Sequence, residues 1–319
     1  MRFAPYIIVG VIFIILPLFI PSYFQGMMTK VLIFTIFAMS LDVIYGYAGL
    51  WSLGHAAYFG VGGYTIGKLM AHYGINSFWI GAPLGIVMAG LVAAIFGLIA
   101  LRVSGMYFLL ITFALGQLLF SIARKWKWLI TGGSEGIWGI SYPDLGIPLF
   151  TWNVSNFYYF TFLAFAISFF LLHRIINSTF GHTLQGIRED EGRMKCLGYN
   201  TWVYKYIAFI VAGLFAGVAG VLFAYYSRAV FPMDFSVFNS ALVLIMVIIG
   251  GTGTLFGSII GAGFIISLEY FASIITPERW PLILGSAFIA SAMYARGGIG
   301  VHLRKLWEKV GYNYGSIKG

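Results

Sequence analysis

Long stretches without a charged side chain dominate this sequence. Asp, Glu, Lys and Arg are absent from residues 69–101, 103–123, 145–173, 206–227 and 235–268. A helix of roughly 20 apolar residues crosses the ~30 Å hydrocarbon core of a bilayer. Each of these stretches is long enough to span a membrane, so the sequence predicts an all-α polytopic membrane protein.

The composition and the scarcity of reactive side chains argue against an enzyme. The 319 residues are 60% hydrophobic and 9% charged, whereas soluble globular domains carry roughly 25% charged residues. The single cysteine, Cys196, excludes an internal disulfide, and the five histidines are scattered without metal-binding spacing. The glycine-rich segment 250–257 lacks the lysine of a phosphate-binding loop. We expect no catalytic residue, no metal site and no cofactor bound by this chain.

Hydropathy predicts about ten transmembrane helices in one domain, 1–319. Two of them, the eighth and the tenth, are short enough to be re-entrant or broken. The first is interpreted as a retained span because no small-residue cleavage site follows it. The predicted helices are 5–21, 28–46, 52–71, 78–101, 104–123, 156–173, 205–227, 236–250, 254–275 and 281–295.

The distribution of basic residues orients these helices. Lys and Arg are more frequent in the segments that are cytoplasmic if the N-terminus is inside. This topology predicts an extracytoplasmic loop at 124–155, a cytoplasmic loop at 177–203 and a cytoplasmic tail at 296–319. It also places both termini in the cytoplasm.

One short loop concentrates charge. The chain has 19 basic and 10 acidic residues, and six of these charges fall within 188–195. If the segment is helical, Leu184, Ile187, Met194 and Leu197 share one face, and Glu189–Arg193 and Glu191–Lys195 are i,i+4 pairs. Such an amphipathic helix is typical of a docking element for a cytoplasmic partner. A solvated linker is the alternative.

Two glycine-rich segments, 46–63 and 250–263, have comparable patterns and indicate an internal parallel duplication. Glycine-interrupted segments in matching halves point to a translocation path, whereas tight helix packing explains them equally well. Asp42 and Glu269 are acidic residues within apolar segments, so each is either a coupling carboxylate of an ion-driven transporter or a structural group. Small residues on the seventh span, at 212, 213, 216, 217 and 220, predict close helix packing within the chain, and a dimer interface is the alternative.

Several segments resemble, in order, the permease family of bacterial branched-chain amino-acid ABC importers. They are 46–60 (GYAGLWSLGHAAYFG), 131–137 (TGGSEGI), 180–191 (FGHTLQGIREDE), 198–199 (GY), 216–220 (AGVAG) and 250–254 (GGTGT). The resemblance covers residues 30–300 and is greater to the M-type than to the H-type subunit. It departs from the family pattern at 296–300 and at His182, where the family usually has Arg.

The resemblance implies a division of labour. A second permease subunit would complete the pathway, two cytoplasmic ATPase subunits would bind ATP and Mg²⁺, and an extracytoplasmic binding protein would deliver the solute in the bacterial inner membrane. The segment that matches the family's coupling helix contains Gly181, Leu184, Ile187, Arg188, Glu189, Asp190, Glu191, Arg193, Leu197 and Gly198.

The resemblance and the glycine patterns together predict a path and a substrate class. We expect the solute to pass Asp42, Gly49, Ser52, Gly54, His55, Thr252, Gly253 and Thr254. Branched-chain or other hydrophobic amino acids are the first expectation, and urea or a small amide is the second. An ion-coupled secondary transporter is the alternative from another class.

Overall fold

The computed structural model describes residues 20–126, 132–146 and 152–275, together with positions 17, 282, 283, 285, 286 and 289. Ten α-helices are described: α1 Ser22–Asp42, α2 Ala56–Tyr73, α3 Phe78–Ala100, α4 Met106–Lys125, α5 Val154–Ile176, α6 Thr179–Glu189, α7 Glu191–Cys196, α8 Thr201–Ser227, α9 Val237–Gly250 and α10 Leu255–Ile275. A π-helix, Val43–Tyr47, continues α1. The strands β1 Ile137–Trp138 and β2 Ala229–Val230 pair antiparallel, and short 3-10 helices cover Gly133–Glu135 and Pro232–Phe235.

These helices confirm the prediction of an all-α polytopic membrane protein. Eight of the ten predicted spans coincide with described helices, and six helices are long and apolar enough to cross a membrane. The helix α9 is as short as predicted. The predicted spans 5–21 and 281–295 lie mostly outside the described residues, and the tail 296–319 lies wholly outside them.

The helix α8 lies at the centre of the bundle and packs against α1, α2 and α3. Its small residues permit this contact, as the sequence predicted. Gly213 faces Ala93 and Gly217 faces Ala89, both on α3, while Gly220 faces the backbone of Phe59 on α2. The small residues of α8 therefore pack against helices of the same chain.

Not every helix begins at an end of the bundle. Residues 48–55 are not helical and connect the π-helix to α2. The helix α2 begins in the interior of the bundle, as the contacts of His55 and Ala56 show. His55, just before α2, is fully buried, hydrogen-bonds Ser40 of α1 at 2.8 Å and stacks on Phe37. The Ala56 N–H donates to Ser240 Oγ in the first turn of α9, at 2.9 Å. Irregular backbone is tolerated at membrane depth where protein surrounds it.

The glycine-rich segments meet at one end of the bundle. The first contains the irregular segment 48–55, whereas the second is the short turn 251–254 between α9 and α10. The segment between α4 and α5 is described over 132–146. There β1 pairs with β2, and the Phe78 N–H donates to Asp144 O at 2.9 Å.

Candidate functional site

The charged loop folds as two helices, so the prediction of one amphipathic helix is wrong. Asp190 interrupts it with extended backbone (φ −155°, ψ 98°), and its carboxylate caps α7 by accepting the Arg193 N–H at 2.9 Å. Asp is among the preferred residues at a helix N-cap. The break turns Leu197 away from the predicted apolar face, and its side chain is 67% exposed.

Of the two ion pairs predicted in this loop, one is confirmed. Lys195 Nζ lies 3.0 Å from Glu191 Oε1 within α7. The pair Glu189–Arg193 is wrong, because the break at Asp190 separates the two residues. Arg193 Nε lies 3.7 Å from Asp190 Oδ2 instead.

The predicted coupling residues divide into a buried and an exposed group. Gly181, Leu184 and Ile187 face the interior of this chain and fix α6 to the bundle. The others point outward: Arg188, Glu189, Asp190, Arg193, Leu197 and Gly198 are exposed, and Glu191 is partly covered. Arg188 is exposed as a residue, although its hydrogen bond to Gly46 is partly buried. The exposed group is the part of the loop that a partner could contact.

Arg188 connects this loop to both glycine-rich segments. Its Nη1 donates a hydrogen bond to the carbonyl oxygen of Gly46, in the π-helix. Its aliphatic carbons lie against Gly49, where an added Cβ would be 3.1 Å from Cγ of Arg188. An added Cβ at Gly253 would lie 3.2 Å from Nη1. One side chain therefore contacts residues that are distant in sequence.

Asp42 completes the contact between the two turns. This fully buried carboxylate, in the last turn of α1, accepts the Gly253 N–H at 2.8 Å. A Cβ at Gly46 would overlap with both the Asp42 carboxylate and the Gly253 nitrogen, so only glycine fits this approach. Gly253 has a φ of +76°, which non-glycine residues rarely adopt. We call Asp42, Gly46, Arg188 and Gly253 the junction.

The junction combines opposite charges with an unusual backbone. The positive charge of Arg188 attracts the buried Asp42 carboxylate and offsets part of the cost of burying it. Single π-helical turns occur often at functional sites. The junction thus joins the loop, the end of α1 and the α9–α10 turn in one set of contacts.

Glu191 makes a second connection, from α7 to α8. Its carboxylate accepts hydrogen bonds from Lys205 Nζ at 2.5 Å and from Thr201 Oγ1 at 2.9 Å, besides the Lys195 pair. Partial burial would raise the pKa of the Glu191 carboxyl, but these hydrogen bonds outweigh it and lower the pKa to about 2, from 4.5.

The lowered pKa of Glu191 gives a pH-dependent stability. A carboxyl whose folded pKa is depressed stabilises the fold fully above its unfolded pKa and loses that effect as pH falls. We expect Glu191→Gln to lower the melting temperature by a constant amount between about pH 7 and pH 5. Below about pH 4.5 the difference from the wild type should shrink, as thermal unfolding in detergent would measure.

Glu189→Gln is the matched control, because Glu189 is exposed and makes no ion pair among the described residues. Its melting temperature should follow that of the wild type at every pH. A Glu191→Gln protein as stable as the wild type at pH 7 would contradict the role of this connection.

The predicted path residues fall into two groups. Asp42, Ser52, Gly54 and His55 are buried in packing contacts, whereas Gly49, Thr252, Gly253 and Thr254 are half-buried near the charged loop. Two cavities, of about 510 and 410 Å³, are lined by other residues. The burial of the first group agrees with the packing alternative, and a path role for these eight residues stays a prediction.

The sequence did not single out Gly46, Lys205 or Lys30 as functional. Lys205 stands one turn into α8, where it can reach Glu191, but no local pattern links the two. Lys30 pairs with Glu269 through contacts of 2.9 and 3.0 Å. Of the two roles considered for Glu269, this internal pair favours the structural one. Within the described residues, no group of three or more His, Cys, Asp or Glu gathers as for a metal ion.

Known proteins resemble this chain over most of its length. Residues 23–294 match the model of the family described as branched-chain amino acid transport system / permease component. The high-affinity branched-chain amino acid transport system permease protein LivM of Escherichia coli (strain K12) is 31% identical over 256 residues, covering 73% of this chain and 60% of that protein. LivM of Salmonella typhimurium is 30% identical over 256 residues, with the same coverage.

An archaeal relative is more distant. The probable branched-chain amino acid transport permease protein LivM of Methanocaldococcus jannaschii is 25% identical over 270 residues, which cover 72% of this chain and 75% of that protein. No solved structure matches the chain. The alignments span about 60% of the length of the two bacterial relatives. On the family match, this chain belongs to the permease components of branched-chain amino acid transport systems.

Proposed function

We propose that this chain is the non-catalytic, multi-pass permease subunit of an ATP-driven importer for branched-chain or other hydrophobic amino acids in the bacterial inner membrane. A second permease, two cytoplasmic ATPase subunits with ATP and Mg²⁺, and an extracytoplasmic binding protein complete the transporter. The observation that supports the coupling role most is the contact of Arg188 with Gly46. It connects an exposed, charged loop to backbone inside the bundle.

The two connections of the loop support a lever mechanism. A partner that moves α6 and α7 pulls the end of α1 and the α9–α10 turn through Arg188, and pulls α8 through Glu191. Because α8 packs closely on α1, α2 and α3, a displacement of its start moves these helices as packed bodies. Small shifts of this kind are amplified because packed interfaces switch between discrete arrangements.

The contacts of the two acidic residues argue against the ion-coupled alternative. Glu269 is paired with Lys30, and Asp42 accepts the Gly253 N–H. Each carboxylate therefore has a structural partner within the chain, and neither needs a coupling ion to account for its position between helices. The charged loop has no role in that alternative.

Purification with a tag on this chain tests the proposal. We expect an ATPase and a second permease to co-purify, and ATP to drive leucine uptake into proteoliposomes when the binding protein is added. Isoleucine and valine should compete, and urea should not. Preferred transport of urea would reject the substrate class. Uptake driven by a proton gradient without the ATPase would reject the importer.

A further inference from the structure

A second polar site lies at the end of the bundle opposite the junction. Residues of α1, α5, α10 and the end of α8, with Tyr142, line an open cavity of about 510 Å³. This size is typical of small-molecule sites, which combine an apolar lining with a few polar groups. Lys30 and Glu269 mark its position, because Lys30 precedes Asp42 by three turns of α1 and Glu269 lies toward the far end of α10.

The cavity contains both signs of charge. The Lys30–Glu269 pair lies in its wall with the two side chains only 27% and 23% exposed. Each Glu269 oxygen accepts from Lys30, yet a carboxylate has about four acceptor positions. Glu269 can therefore accept further hydrogen bonds from a cation in the cavity while it keeps Lys30.

Arg228 supplies a cation that no carboxylate neutralises among the described residues. Its guanidinium lies 4.3 Å from the centre of the Tyr142 ring. The backbone of Arg228 is left-handed (φ 54°), the only such non-glycine conformation in the described part of the chain. Residues in sparsely populated conformations cluster at functional sites. The Ile140 N–H, which donates to Arg228 O, and the β1–β2 pairing hold this conformation.

Aromatic rings line the rest of the cavity. Tyr23, Tyr142, Phe157, Tyr226 and Tyr270 contribute to its wall. The Tyr270 hydroxyl is buried and has no hydrogen-bond partner in the described structure. Such a group is left unsatisfied unless a ligand or water reaches it. Among the described residues, the site thus offers an apolar surface beside one cation without a carboxylate partner and one carboxylate with acceptor positions left.

We propose that this cavity, the vestibule, binds a free α-amino acid with an apolar side chain in its zwitterionic form. Arg228 binds the carboxylate, Glu269 binds the ammonium group and the aromatic rings contact the side chain. The inference rests on the proposed function and adds a receiving site within this chain. An anionic lipid headgroup matches Arg228 but gives no role to Glu269.

Binding to the purified permease–ATPase complex without the binding protein tests the vestibule directly. Three probes separate the charges: leucine, leucinamide, which lacks the carboxylate, and 4-methylpentanoate, which lacks the ammonium group. Arg228→Gln should weaken leucine and 4-methylpentanoate about tenfold or more, because a hydrogen bond to a charged group is lost, and it should not weaken leucinamide. Glu269→Gln should weaken leucine and leucinamide, and it should not weaken 4-methylpentanoate, because Lys30 then has no carboxylate partner within the pair.

Arg124→Gln is the matched control. Arg124 is exposed in the last turn of α4 and does not line the vestibule, so all three probes should bind as they do to the wild type. Equal weakening of the three probes by Arg228→Gln would assign Arg228 a structural role and overturn the proposal. Binding that changes with the anionic lipid content but not with leucine would identify a lipid site and also overturn it.

The charge-swapped variant Lys30→Glu/Glu269→Lys separates packing from binding. It restores an ion pair between α1 and α10 with the charges exchanged. We expect the wild-type melting temperature and weakened leucine binding. Full leucine binding by this variant would sink the proposal. ATP-driven leucine uptake by a complex without direct leucine binding would reject the vestibule alone, whereas transport of urea in place of leucine would reject the proposed substrate class.

Discussion

Replacement of Arg188 by alanine should uncouple the assembled transporter. We expect solute-stimulated ATP hydrolysis and uptake to fall about 10- to 100-fold, because hydrogen bonds to charged groups contribute roughly 1.5–3 kcal/mol. The variant removes the donor to Gly46 and the cation beside Asp42 at once. Arg188→Lys keeps the charge but not the planar guanidinium, so it should recover part of the activity. Reconstituted ATPase and uptake assays measure both quantities.

Arg124→Ala provides the control for this prediction. Arg124 is exposed in the last turn of α4 and belongs neither to the charged loop nor to the junction. Surface substitutions of this kind have small effects, so activity should stay within about twofold of the wild type. An Arg188→Ala complex with normal composition and normal coupled activity would refute the role of the junction.

Enlargement of Gly220 should destabilise the bundle more than any single change at its surface. A Cβ at Gly220 on α8 would overlap with the backbone oxygen of Phe59 on α2. Backbone cannot rotate aside as a side chain can, so the two helices must separate. Such overpacking costs about 1–3 kcal/mol or more, which corresponds to a melting temperature lower by roughly 5–10 °C for Gly220→Ala. Gly220→Leu should not yield a folded protein.

Gly263→Ala is the matched control within α10. The nearest atom to an added Cβ there is Cγ1 of Val31, at 3.9 Å, an ordinary contact. Alanine also favours helix by about 1 kcal/mol over glycine. Its melting temperature should equal or exceed that of the wild type, as thermal unfolding followed by size-exclusion chromatography would measure. A Gly220→Ala protein as stable as Gly263→Ala would show that α2 and α8 separate at little cost.

The helices could be predicted from the sequence because hydrophobic length is a local property. Eight predicted spans coincide with helices, and the small residues of α8 pack inside the chain as expected. The start of α2 differs, at residue 56 instead of 52. Hydropathy does not distinguish a helix from an irregular segment that is largely buried, and 48–55 is such a segment.

The contacts of the candidate site were harder to predict because they join distant parts of the chain. The sequence predicted Arg188 as a coupling residue and Asp42 and Gly253 as path residues, each for its own reason. It did not predict the contacts Arg188–Gly46 and Asp42–Gly253, which span 142 and 211 positions. The break of the charged loop did have a local signal. Asp190, followed by Glu191 in the first turn, is a preferred start for a helix. The prediction of one continuous helix gave more weight to the i,i+4 spacing of the charged residues than to this capping signal.

The hydrogen bond between the Ala56 N–H and Ser240 Oγ has a consequence for synthesis on the ribosome. The two residues are 184 positions apart, and chains grow at about 5–20 residues per second, so roughly 10–40 s separate them. During that interval the start of α2 is already made and its eventual acceptor is not. An unsatisfied backbone group costs several kcal/mol in lipid. The early helices therefore need water, a neighbouring protein or the insertion machinery as a temporary partner until α9 arrives.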